Sequence, residues 1–150
     1  MEVNEPINHR LINAKDGCFN LRKASRAVTQ YYDHFLEPAG IRATQFTLLV
    51  SMASVSAHTL TEMANSLVMD RTTLTRNLKP LEKLNLIVTV EARDKRSKAY
   101  ALTDKGKEVL AKGVPMWQTA QNKMVAGLGQ ERFESLLKEL DALTKLISEI

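Results

Sequence analysis

The chain has 150 residues, 44% hydrophobic and 25% charged, the make-up of one globular unit rather than of a disordered segment. Its 21 Lys and Arg against 17 Asp and Glu leave a net charge of +4, which suits a nucleic-acid partner without demanding one. A single cysteine excludes an internal disulfide, no apolar run reaches membrane-spanning length, and Glu2 and Glu5 stand where a secretion signal needs apolar residues; the expected setting is the cytoplasm, with no membrane contact.

Residues 1–12 read as a loose arm with one short turn. From Asp16 the pattern turns helical: Cys18, Leu21, Ser25, Val28, Tyr32 and Phe35 share one stripe, and Pro38 and Gly40 end it. Thr44 is expected to cap the next helix, whose apolar mass is Phe46, Leu48, Leu49, Val50 and Met52. Ser54 to His58 reads as a loop.

The stretch Thr59–Leu84 predicts two short helices joined by a tight turn. Thr59 and Glu62 have the spacing of a capping box, so the first helix starts at Leu60 and points Leu60, Met63, Ala64 and Leu67 inward. Val68 and Met69 interrupt the pattern, and Asp70 caps the second helix. Leu74, Leu78 and Leu81 form its inner face, while Arg71, Thr72, Thr73, Thr75, Arg76 and Lys79 form the outer one. Threonines are weak helix formers, so a purely solvated face would favour other residues; cations and short hydroxyls suit a DNA major groove.

Ile87–Glu91 and Lys98–Leu102 are strand-like and enclose a basic tip, Ala92 to Ser97, which holds Arg93, Lys95 and Arg96. Helix, helix, hairpin is the order of a winged helix, and a basic tip can lie on phosphates or enter the minor groove. An ordinary exposed hairpin kept soluble by charge is the alternative. From Met69 to Lys98 eight cations face four anions, so the chain's whole excess of +4 lies in these 30 residues. Such concentration is the footprint of a polyanion-binding surface; a protein-interaction adaptor with the same fold would not need it.

Thr103 caps a helix from Asp104 to about Leu128, with Val109, Leu110, Val114, Trp117, Met124 and Val125 as its apolar set; Pro115 inside it is expected to kink it, and Gly127 and Gly129 to end it. The last helix, Gln130 to Glu149, carries with the adjoining Ile150 a stripe of Phe133, Leu136, Leu137, Leu140, Leu143, Leu146, Ile147 and Ile150, too apolar to face water. It requires cover, by a second copy across a two-fold axis or by its own chain.

MDRTTLTRNLKPLEKLNLI followed by EARDKRSKAYALTDKG is similar to the MarR family of winged-helix regulators, in its D-x-x-T-L-T recognition helix, its D-x-R-D-x-R wing, where Glu91 replaces the first Asp, and its L-T-x-x-G start to the next helix. The resemblance implies a mainly α fold with a small β-hairpin: a winged helix-turn-helix lobe over 44–103 and a helical dimerisation lobe made of 17–40 and 104–150, all one unit spanning 1–150. It implies a homodimeric regulator, expected to be a repressor, on a pseudo-palindromic double-stranded operator, held by Arg71, Thr72, Thr73, Thr75, Arg76, Lys79, Arg93, Lys95 and Arg96.

Two release signals stay open. A small aromatic or phenolic effector would sit against Tyr32, Phe46 and Trp117, with Arg22 beside Ser25 able to hold a carboxylate or to make only a salt bridge. Cys18 resembles the sensing position of the organic-hydroperoxide branch of the family; Tyr32 matches one accompanying tyrosine, but Ala43 and Phe46 stand where two others would fall. A buried apolar thiol is the simpler reading of Cys18, and a thiol peroxidase the remotest, since no second Cys exists to resolve an oxidised one. No metal spacing, phosphate loop or carboxylate pair occurs, so neither an enzyme nor a cofactor is expected.

Overall fold

Short-range capping sets most of the element boundaries in the computed structural model, which describes residues 8–54, 58–94 and 96–150. The helices are α1 (His9–Lys15), α2 (Gly17–Leu36), α3 (Ala43–Ala53), α4 (Leu60–Ser66), α5 (Arg71–Lys83), α6 (Asp104–Leu128) and α7 (Gln130–Ser148), with a 3-10 turn at Glu37–Ala39. The strands are β1 (His58–Thr59), β2 (Ile87–Glu91) and β3 (Lys98–Leu102). The expected mainly α, winged helix-turn-helix architecture is the one observed. Among the described residues no helix is long and apolar enough to cross a membrane.

Three expectations are corrected and one is extended. Part of the arm is helical: the Asn8 side chain accepts from the Leu11 N–H and opens α1, and Asn20 reaches back from α2 to the carbonyl of Asn13 at 3.0 Å. Residues 1–7 lie outside the described residues. Thr44 does not cap α3. The Arg42 N–H donates to the Gln45 side chain at 3.0 Å, and the Ala43 N–H to the Asp33 carboxylate of α2 at 2.7 Å. A tertiary partner ten residues back thus replaces a local cap. The end of the expected loop at His58 is a strand, while residues 55–57 lie outside the described residues. The predicted hairpin of β2 and β3 is present, with Glu91 opposite Lys98, and β1 extends it to a three-stranded antiparallel sheet of order β1-β3-β2, with His58 opposite Tyr100.

The helix-turn-helix follows its capping signals. The Thr59 N–H donates to Glu62 at 2.8 Å and the Glu62 N–H to the Thr59 hydroxyl at 3.1 Å. The turn places Val68 at φ 51°, a left-handed position a branched residue seldom adopts, and lets the Met69 N–H reach the Ala64 carbonyl at 2.9 Å. Leu74, Leu78 and Leu81 are fully buried against Met63, Leu49, Leu86 and Ile87, so the outward face of α5 is fixed by its inward one. Truncating any of the three to Ala costs about 2–5 kcal/mol.

α2 lies on α6 through two tyrosines: the Tyr31 hydroxyl donates to the Ala120 carbonyl at 2.9 Å, and the Tyr32 hydroxyl donates to Gln121. α6 runs as one helix through Pro115. Its first turn is fastened to the turn that ends α5. The Thr103 N–H donates to the Leu86 carbonyl at 3.1 Å, the Thr103 hydroxyl to the Asn85 carbonyl, and Lys105 to the Leu84 carbonyl at 3.0 Å. Gly106 makes this possible, because a Cβ there would lie 2.0 Å from the Leu86 carbonyl oxygen. In α7 no residue is buried, and Leu136, Leu137, Leu140, Leu143, Leu146 and Ile147 are exposed.

Candidate nucleic-acid interface

α5 carries the candidate surface because its cap and its core face leave one orientation. The Asp70 carboxylate accepts from the Thr73 N–H at 2.8 Å and from the Thr73 hydroxyl at 2.6 Å. These hydrogen bonds hold the Asp70 carboxyl below its usual range. They keep an anion at the positive end of the helix, where it neutralises free N–H groups and strengthens the cap.

Arg71, Thr72, Thr75, Arg76 and Lys79 line one shallow groove with Leu60 at the start of α4. Five of the six α5 residues expected on the outer face therefore converge. Thr73 does not join them; it is half-buried and its hydroxyl proton is committed to Asp70. Thr75 is half-buried as well and donates to the Arg71 carbonyl at 2.8 Å, which leaves its lone pairs facing out. Leu60 packs against the core, as its periodicity predicts, and also lines this groove.

The tip of the wing is a short turn in which the Arg96 N–H donates to the Asp94 side chain at 3.1 Å and the Ser97 N–H to the Asp94 carbonyl at 3.0 Å. Asp94 thus spends its charge on shaping the turn, and Arg93 and Arg96 point to solvent. Lys95 lies outside the described residues. Among the described residues the ion pairs are Lys107 with Asp104 and Lys145 with Asp141; Arg71, Arg76, Lys79, Arg93 and Arg96 enter none. Unpaired guanidinium groups on a helix face and a hairpin tip can grip phosphates without first breaking an internal salt bridge.

A second feature lies on the other side of α3. Val28, Tyr32, Leu36, Ala43, Phe46 and Trp117 line an open groove of about 320 Å³, with Thr29, Thr44 and Thr47 at its rim. Phe46 and Trp117 stack with ring centres 6.3 Å apart and planes 19° apart. Burial, with Tyr31 beside it, pushes the Tyr32 hydroxyl up. Of the five residues expected at an effector site, Tyr32, Phe46 and Trp117 come together here, whereas Arg22 and Ser25 are exposed and do not line it. The threonines escaped the sequence reading, although Thr29 precedes Tyr32 by three residues and Thr44 precedes Thr47 by three, the spacing of one helix face.

Cys18 is exposed in the first turn of α2, two residues after the Asp16 cap. Among the described residues no group of three or more His, Cys, Asp or Glu converges as a metal site would require.

Residues 41–98 match the sequence model described as MarR family. The organic hydroperoxide resistance transcriptional regulator of Bacillus subtilis (strain 168) is 30% identical over 131 residues, covering 87% of this chain and 86% of that protein. The crystal structure of the M. tuberculosis transcriptional regulator MosR in complex with DNA aligns with a TM-score of 0.78 at 32% identity, covering 89% of this chain and 98% of that one. A structure of the transcriptional repressor CouR bound to p-coumaroyl-CoA aligns with a TM-score of 0.77 at 25% identity, covering 89% of this chain and 94% of that one.

Proposed function

We propose that this chain, which belongs to the MarR family of DNA-binding transcriptional regulators, acts as a homodimeric repressor released from a pseudo-palindromic operator by a small aromatic effector. The observation that carries the reading is the outward face of α5, where Arg71, Thr72, Thr75, Arg76 and Lys79 converge with no ion pair among the described residues. α5 enters the major groove; Arg93, Lys95 and Arg96 hold the flanking backbone. Thr73 serves this surface through Asp70, as part of the cap.

The uncovered stripe of α7 supports the dimer, formed by 17–40 and 104–150, because water contact along seven large apolar side chains, Leu136 to Ile150, is costly. The groove beside Trp117 supports the effector, and the CouR structure holds an aromatic thioester. The role is binding rather than turnover.

Footprinting on DNA upstream of the chain's own gene tests the reading. Two protected half-sites are expected with centres about 10 base pairs apart, or a multiple of that. Sedimentation should give a dimer at micromolar concentration; a stable monomer bound to a single half-site would overturn the proposal.

One observation favours a second reading. Cys18 is exposed at a helix start, and a 30%-identical relative is an organic hydroperoxide resistance regulator. Against it, Ala43 and Phe46 offer no hydroxyl to an oxidised sulfur, and no second Cys exists to resolve one. Organic hydroperoxide should therefore leave the operator complex intact. Release that is lost in Cys18→Ser would make the effector an oxidant.

A further inference from the structure

Leu60 is the one aliphatic residue that lines the groove on the outward face of α5; its companions there are Arg71, Thr72, Thr75, Arg76 and Lys79. Its place is fixed from three sides. Immediately before it, β1 pairs with β3, with Thr59 opposite Ala99. The reciprocal bonds of Thr59 and Glu62, at 2.8 and 3.1 Å, set the first turn of α4 around it. Its side chain is half-buried and packs against the core that includes Leu74 and Leu78. Leu60 therefore shows the groove a preordered apolar edge, and little side-chain entropy remains to be lost when something docks on it.

A part-exposed leucine is ordinary on most surfaces. This one stands among three cations, Arg71, Arg76 and Lys79, that enter no ion pair among the described residues. The hydroxyl of Thr75, in the same groove, donates to the Arg71 carbonyl at 2.8 Å, so its proton is not available to a base. Thr75 thus adds a methyl group to the groove without adding a free donor.

In the major groove a base pair presents acceptors, an amino donor and, on thymine alone, a methyl group. The side chain of Leu60 has no polar atom. A keto or amino edge, or a phosphate oxygen, placed against it would leave water and gain no hydrogen bond. The thymine methyl is the one group on the duplex that gains by the contact.

We propose that Leu60 is a specificity-determining residue, reading the 5-methyl group of a thymine in each half-site, with Thr75 as a second apolar contact. Sequence preference then comes from both helices of the helix-turn-helix, through Leu60 on α4 and through the outward face of α5. The inference deepens the DNA-binding reading above and rests on it.

A consensus is first selected from randomised duplex DNA with the full chain. Each thymine of the selected duplex is then replaced in turn by deoxyuridine, which removes the methyl and keeps every hydrogen-bonding group. Binding is read by mobility shift at one salt concentration. Wild type should weaken about fourfold at one thymine of each half-site, the worth of one buried methyl. Leu60→Ala should bind the thymine and uracil duplexes alike, and Leu60→Val, the milder truncation, should fall between the two. Each comparison is made within one protein, so a smaller folded fraction in a variant cancels. A merely structural role for Leu60 would weaken both duplexes equally and leave their ratio at the wild-type value. That result, or a selected half-site in which no thymine is sensitive to uracil, would overturn the assignment and leave DNA recognition in place. Failure to enrich any sequence would overturn the DNA-binding reading itself, and the assignment with it.

Discussion

Replacing Gly106 with alanine adds one methyl group where the structure has no room for it. The new Cβ would lie 2.0 Å from the Leu86 carbonyl oxygen and 3.0 Å from its carbon, both backbone atoms that cannot rotate away. Ordinary contact needs about 3.4 Å, so α6 and the start of β2 must separate by more than an ångström. That movement strains or breaks the 3.1 Å bond from the Thr103 N–H to the same carbonyl, worth about 1 kcal/mol. Forced overpacking adds roughly 1–3 kcal/mol. The better helix propensity of alanine returns up to about 1 kcal/mol. The net loss is about 1–3 kcal/mol, or a fall of roughly 2–12 °C in Tm for a chain of this size. Gly127→Ala is the control. It is another glycine of α6, a Cβ there meets nothing within 4 Å, and alanine should stabilise by roughly 0.5–1 kcal/mol. Thermal and urea unfolding of both variants at one protein concentration measures the difference, since dimer stability depends on concentration. If Gly106→Ala is as stable as Gly127→Ala, the close approach of α6 to Leu86 is not a constraint and the fastening of α6 to the end of α5 loses its basis.

Arg76→Ala should weaken operator binding by about 1–3 kcal/mol and relax base preference, checked by a binding-site selection; an unchanged preference shows that Arg76 does not read bases. Arg93→Ala and Arg96→Ala should weaken all sequences alike and lower the log–log salt slope by roughly 0.9 for each phosphate that is no longer neutralised. If discrimination between operators collapses instead, the wing reads groove shape. The Asp70 carboxyl is held down by Thr73 in the folded chain, so its stabilisation is complete above the ordinary aspartate value of about 3.9 and fades as pH falls through the lower folded value. The Tm gap between wild type and Asp70→Ala should be constant from about pH 5 to 8 and narrow below about pH 4; a gap that widens in acid contradicts the cap.

What could be read in the chain beforehand was what its neighbours in sequence decide. The Thr59–Glu62 box, the Asp70 cap and the Thr103 cap are each settled within three residues, and all three helices start where those residues require. The buried row Leu74, Leu78 and Leu81 fixed the outer face of α5 by simple periodicity. The misses share a different origin. The cap of α3 comes from Asp33 on another helix, a contact no local pattern contains. β1 is two residues long, too short to alternate, and exists only because β3 lies beside it. α1 buries no residue and starts at Asn8, a cap with no apolar stripe behind it. At the groove, aromatic character foretold the walls, but the direction of each hydroxyl proton depends on which carbonyl lies one turn back in the folded helix.

The fastening of Thr103 and Lys105 to the Leu84–Leu86 turn has a mechanical meaning. It leaves no slack between the end of α5 and the start of α6, so the two move as one body. α6 has 25 residues and is about 37 Å long, and the same helix presents Trp117 to the groove near its middle. It is a lever with its load clipped to one end. A tilt of about 5° about its far end sweeps the clipped end through roughly 3 Å, close to the rise of about 3.4 Å for one base pair. In the proposed dimer two such levers share one pivot region, and their motions add. If the proposed effector wedges the groove open by such an angle, the separation of the two reading helices in the proposed dimer is expected to change by more than a base-pair step, which would take both out of register with the proposed operator.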